Sequence, residues 1–147
     1  MNDNTSPDAN DELIDRIATS YAVKVYHNHR DSEDNQGRCS GRDIFLGNFV
    51  DADIKLVAFF HELGHSLSHT VTKQDTYLST ISSEGLAWEL GLGLARDFGF
   101  KYGYYSKEMK WAREQLKTYI DGEHYKELER NHERTNSETH RKVYANS

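Results

Sequence analysis

The stretch that most limits how this chain can fold runs from Asp53 to His69, Asp-Ile-Lys-Leu-Val-Ala-Phe-Phe-His-Glu-Leu-Gly-His-Ser-Leu-Ser-His. Leu56, Phe60, Leu63 and Leu67 recur at helical spacing, and Phe59 widens the stripe, so one side of a helix here has to be buried. The same helix places His61 and His65 one turn apart, about 6 Å from each other on one face. Glu62 sits beside them, flanking the apolar stripe. The helix therefore has to serve a core and a polar site at once.

Two imidazoles at that spacing can hold one metal ion. Glu62, next to the first, is not a ligand in this arrangement but is placed to take a proton from a metal-activated water. Two histidines, one carboxylate and an open position for water form a catalytic set, for which zinc (Zn2+) is the expected cofactor. The expected function is zinc-dependent hydrolysis of a peptide bond, with Glu62 as general base and a peptide or protein as substrate. The plainer alternative is two histidines and a glutamate on an exposed helix face. The apolar setting of the motif argues against it.

A chain of 147 residues suits one domain with a real core. We place that domain at residues 1–122 and a polar tail, partly helical or mobile, at 123–147. A formal net charge of -6 and no sustained Lys/Arg run give no footprint for nucleic acid. One cysteine, Cys39, excludes an internal disulfide framework and suits a reducing compartment. Met1-Asn2-Asp3-Asn4-Thr5 has neither the basic start nor the apolar core of a secretion signal. No segment approaches the roughly 20 apolar residues that span a bilayer. The expected location is the cytoplasm, away from membranes.

Before the motif, Ser6-Pro7-Asp8 predicts a short helix from about Pro7 to Ser20 with Leu13, Ile14 and Ile17 buried. Tyr21–His29 alternates like a strand, Arg30–Arg42 reads as a loop holding Cys39, and Asp43–Val50 reads as a second strand leading into the motif helix. We expect that second strand to lie at a sheet edge, where its free backbone groups could pair with an extended peptide. After a polar connection from Val71 to Thr80, a third helix is predicted over Ile81–Phe98. Leu86, Leu90 and Leu94 form one ridge, and Glu84, Ala87, Trp88, Gly91 and Ala95 share another side. Ser106 is expected to cap a fourth helix carrying Met109, Ala112, Leu116, Tyr119 and Ile120, ended by Gly122. Together these elements predict an α+β fold.

The third ligand is chosen among several residues. Small residues on the third helix permit the close helix approach that Glu84 needs to reach the metal, which makes it the preferred ligand. His69 is about 12 Å along the helix from His61, too far unless the helix stops after His65. Asp75 would need the loop to fold back. Glu89 shares the helix of Glu84 without the small residue three positions on. His27 and His29 could form a second imidazole pair on one strand face. Tyr102, Tyr104 and Tyr105 either line the cleft, where a hydroxyl could stabilise an oxyanion, or pack as ordinary aromatics.

His61-Glu62-Leu63-Gly64-His65 followed by Ser83-Glu84-Gly85-Leu86-Ala87-Trp88 resembles the gluzincin branch of zinc metallopeptidases, whose third ligand is a glutamate on a later helix. The run His61 to His69 is also similar to the active-site helix of the ImmA/IrrE group, and the short chain is similar to the minigluzincins. The resemblance covers about Ile44 to Ala95. It implies a zincin-like fold, with a small twisted sheet packed on the motif helix and the glutamate helix and extra C-terminal helices. It also implies His61, His65 and Glu84 as ligands and Glu62 as base. Trp88 departs from the pattern, standing where many gluzincins carry an aspartate that supports a histidine ligand. Peptide deformylases share the motif with a cysteine as third ligand, but Arg38-Cys39-Ser40 lacks their preceding glycine. A zincin-like binding or regulatory module without turnover is the alternative function. Structural zinc would need a fourth protein ligand, and none is apparent.

Overall fold

The computed structural model describes residues 8–71, 80–118, 120 and 121. The expectations for Ser6-Pro7, Asp75 and the connection around it, Gly122 and the tail at 123–147 fall outside the described residues.

The first helix, α1 (Asp11–Ser20), starts later than its sequence suggests. Asn10 does not cap it; its side-chain amide donates to the Ala52 carbonyl at 2.9 Å and ties the start of α1 to the motif helix. Ile14 and Ile17 are buried as expected, and Leu13 is half-buried. The helix closes with Tyr21 and Val23 N–H groups both donating to Ala18 O, and with Ala22 at φ +56. That turn consumes the first two residues of the expected strand. Asn28, at φ +52, ends it. Between the two turns only β1 (Lys24–Tyr26) remains extended.

The expected loop contains a strand, β2 (Gly37–Ser40), which pairs antiparallel with β3 (Asp43–Leu46). Ser40 opposite Asp43 leaves a two-residue hairpin, and Gly41 takes φ +59, the left-handed conformation favoured at such turns. β1 pairs with β3 in parallel, so the sheet order is β1-β3-β2. The strand placed at the edge by its sequence, β3, is thus the central one, and β2 is an edge. β2 escapes a hydrophobicity reading because its inward residues are Gly37 and Cys39.

Ile44 and Leu46 point from the sheet into the core against α2 (Ala52–Val71), the motif helix. Tyr26, Phe45 and Arg38 share the outer face, the two rings stacked at 4.9 Å and the guanidinium 4.5 Å over Phe45. On its other side α2 packs against α3 (Thr80–Asp97), the most extensive contact between elements. A fourth helix, α4 (residues 107–118), contributes Met109, Trp111 and Ala112 to a small cluster with Val57 of α2 and Trp88 of α3. Its cap is as expected, with Ser106 Oγ accepting the Met109 N–H at 3.1 Å.

These neighbours enclose α2 all round. Leu56, Phe59, Phe60 and Leu63 are buried, but so are Val57, Ala58, Lys55, His61 and Glu62, so the apolar stripe is only part of what is enclosed. Asp51 caps this helix, its Oδ1 accepting the N–H groups of Asp53 and Ile54 at 2.9 and 3.1 Å. On α3 the ridge of Leu86, Leu90 and Leu94 is half-buried, whereas Glu84, Ala87, Trp88, Gly91 and Ala95 are buried. The small-residue side is the one turned inward. Among the described residues the fold class is α+β, with four helices and a three-stranded mixed sheet.

Candidate metal centre and its cleft

The crossing of α2 and α3 is set by two glycines. A Cβ on Gly64 would lie 2.1 Å from the Ala87 carbonyl oxygen, and one on Gly91 would lie 2.4 Å from that of Phe60. Both obstacles are backbone, so each helix touches the other where the opposing side chain is missing. Gly64 is the second variable residue of the motif itself, a packing role its sequence position did not reveal.

That approach brings Glu84 of α3 to both histidines of α2. Its Oε2 lies 2.8 Å from His61 Nε2 and its Oε1 3.0 Å from His65 Nε2. Glu84 Oε2 and His61 Nδ1 nevertheless make no aligned hydrogen bond to any described residue. Among the described residues, His61, His65 and Glu84 are the only group of three ligand-type side chains close enough to hold a metal ion, with ligand atoms within 4.8 Å of one another.

The donor set fits a metal. An ion held at about 2.1 Å by tetrahedral ligands separates them by roughly 3.4 Å, a small opening from the contacts seen. No lysine or arginine pairs with Glu84 or Glu62 among the described residues, so no protein cation competes for the place. Burial lowers the His61 pKa and favours its neutral, ligand-competent form, despite the opposing Glu84 contact. Burial alone would raise Glu84, but the two histidines outweigh it and hold the carboxyl down to about 2. Burial opposes a charge on His65 as well, yet Glu84 beside it raises that pKa overall.

Glu62 is 5% exposed, and burial pushes its carboxyl up to about 7, with His65 opposing and Glu84 reinforcing the rise. It faces β2, where a Cβ on Gly37 would sit 3.2 Å from Glu62 Cγ. The bare backbone of Gly37 leaves room above the carboxylate. There a small depression, partly open to solvent, is lined by Gln36, Gly37, Ala58, His61, Glu62, Trp111 and Gln115. Sequence reasoning missed Gln36, Gly37, Trp111 and Gln115. The helical spacing of Trp111 and Gln115, one turn apart, was the available signal.

The other candidates fall elsewhere. α2 continues unbroken to Val71, so the condition that would have admitted His69, a stop after His65, is not met. Glu89 is exposed. Cys39 is in β2, not a loop, and donates towards Gly41 O at 3.4 Å. Burial, reinforced by the charge on Glu62, pushes its thiol up to about 12, and Cys39 is not part of the group formed by His61, His65 and Glu84. His27 and His29 do not share a strand face. His27 Nε2 contacts Asp15 Oδ1 at 2.6 Å, while His29 packs edge-on against Phe45. Tyr104 and Tyr105 are exposed and meet edge to face, with Arg113 over Tyr104. Tyr102 is half-buried, and burial together with Glu108 and Asp53 raises its pKa. None of the three tyrosines is among the cleft-lining residues.

His61 has one further neighbour. Its ring lies face to face with Trp88, centroids 4.1 Å apart and planes 27° from parallel. Comparison with protein-family models, with curated proteins and with solved structures finds no match for this chain. No helix among the described residues is long and apolar enough to cross a membrane.

Proposed function

We propose that this chain is a zinc metallopeptidase of gluzincin type, with His61, His65 and Glu84 as ligands and Glu62 as general base. The observation that carries the reading is the meeting of the Glu84 carboxylate with both motif imidazoles, beside a second buried carboxylate that pairs with no lysine or arginine among the described residues. Zinc bound there would supply a Lewis acid that polarises the scissile carbonyl and makes water acidic near neutral pH. Glu62, buried beside the two imidazoles, would take the proton of the attacking water and deliver it to the leaving amine. Glu84 stays ionised throughout, as a ligand must. The strand β2 borders the cleft, and its side away from β3, which pairs with no described strand, offers backbone groups to an extended peptide.

The test is zinc content and peptide hydrolysis on the same preparations. Glu84→Gln should lose zinc, and Glu62→Gln should keep it while losing activity by at least about a hundredfold, the usual scale for an acid–base residue. A Glu62→Gln protein as active as wild type would sink the mechanism. A second reading, a zincin-like binding module without turnover, draws on the size of the cleft and on the absence of a tyrosine from its lining. Zinc-loaded wild type that cleaves nothing across a diverse peptide panel would establish it instead.

A further inference from the structure

We infer that Trp88 is a positioning residue that holds the His61 imidazole by face stacking, in place of a hydrogen-bond partner on its remote nitrogen. A metal-binding histidine almost always donates its other ring N–H to a carboxylate, carbonyl or water, which fixes the plane of the ring. Here His61 Nδ1 is buried and has no such partner among the described residues. Some other force has to orient the ring, and the indole is the surface it lies against, at 4.1 Å and 27°.

The geometry upstream supports the assignment. Trp88 is one helical turn beyond Glu84 on α3, so the element that delivers the carboxylate also delivers the stacking surface. Trp88 is 8% exposed and is itself braced edge-on by Trp111 of α4, at 6.2 Å and 70°. Trp111 in turn meets Phe49 at 6.2 Å, so the ring that fixes His61 is anchored on α4 and on the segment that leads from β3 into α2. Stacking restrains tilt without pinning the ring nitrogens by a hydrogen bond, which lets the imidazole turn in its own plane as the ligand atoms adjust.

The inference rests on the proposed metal centre, and the experiment separates the two. Trp88→Phe keeps an aromatic face, whereas Trp88→Leu fills the space without one. In the metal-free protein, the His61 ring protons should resonate upfield in wild type, largely so in Trp88→Phe, and at ordinary positions in Trp88→Leu. With zinc, a chelator competition should show Trp88→Phe within about threefold of wild type and Trp88→Leu weaker by about tenfold or more, the scale seen when a group that orients a ligand is removed. Zinc affinity unchanged in Trp88→Leu, with unmoved His61 resonances, overturns the inference. Equal losses in both variants, tracking lost thermal stability, also overturn it by showing a packing role alone. Wild type that binds no zinc refutes the metal centre, while the metal-free spectra still decide the stack.

Discussion

Two clusters in this protein combine histidine with carboxylates around α2, and they differ in what balances their charge. Near its start, Lys55 and Asp11 pair at 2.7 Å, and the His27 ring lies between Asp11 and Asp15, at 3.5 and 2.6 Å. About two turns further along the same helix, Glu84 lies between His61 and His65 with Glu62 alongside, and no ammonium or guanidinium is paired there among the described residues. The Lys55 side chain is 1% exposed, so the first cluster carries its own fixed cation and is complete. Among the described residues the second has none. The same residue types therefore read as an internal brace in one place and as a cation site in the other, and the deciding feature is a single buried lysine rather than the histidines.

The largest effect should come from breaking the second cluster by its backbone. Gly64→Ala would drive a Cβ against the Ala87 carbonyl, where no rotamer change can relieve the contact. Forced overpacking costs about 1–3 kcal/mol in ordinary cores, and this backbone collision should reach or exceed the upper end. Because α2 and α3 must separate, Glu84 should leave the histidines and zinc binding should be lost as well. Denaturant unfolding combined with zinc titration checks both, and a Gly64→Ala protein that binds zinc normally would mean that the crossing does not set the site. The brace at Lys55 should be untouched.

Asp11→Asn breaks the other cluster. It strips the Lys55 ammonium of its charged partner, and removing one member of a fully buried pair costs about 3–5 kcal/mol. Asp11 is itself 23% exposed, so water can partly replace it and we expect about 2 kcal/mol. Zinc affinity should stay within about twofold of wild type, since the two clusters share no side-chain partner. A large fall in zinc binding would show that α1 positions the metal site through α2, and the contrast between the clusters would fail.

Much of this arrangement was legible in the sequence, and the failures have identifiable physical causes. The four helices and the meeting of Glu84 with His61 and His65 follow from periodicity and from the small residues Ala87, Gly91 and Ala95. The strands did not, because this sheet is decided by pairing and turn geometry more than by alternation. Ala22 and Asn28 trim β1 by taking positive φ. β2 presents Gly37 and Cys39 inward and carries no apolar run. Once β2 exists, β3 becomes central and the free edge passes to the strand that borders Glu62. Gly64 and Trp88 were visible as residues, but their roles depend on what α3 places against α2. That is information no local window contains.

The smallest effect tests the end of α2 on which both clusters depend. Asp51 caps the helix, and its other oxygen accepts from Lys107 Nζ at 2.8 Å. Partial burial opposes the charge on Asp51, but the Lys107 bond and the backbone N–H groups outweigh it, so its folded pKa lies below the usual value. A depressed carboxyl stabilises the fold fully above its unfolded pKa of about 3.9, and that contribution disappears as pH falls through the folded value. Asp51→Asn keeps a good cap but cannot titrate, so wild type should be the more stable protein at pH 6 and the difference should close in strong acid. Asp51→Ala should lose about 1 kcal/mol that no pH restores, because the cap itself is gone. Thermal unfolding of the three proteins between pH 2 and 6 measures this. A gap between wild type and Asp51→Asn that stays constant with pH would show that the cap acts through its shape, with its charge and Lys107 contributing nothing.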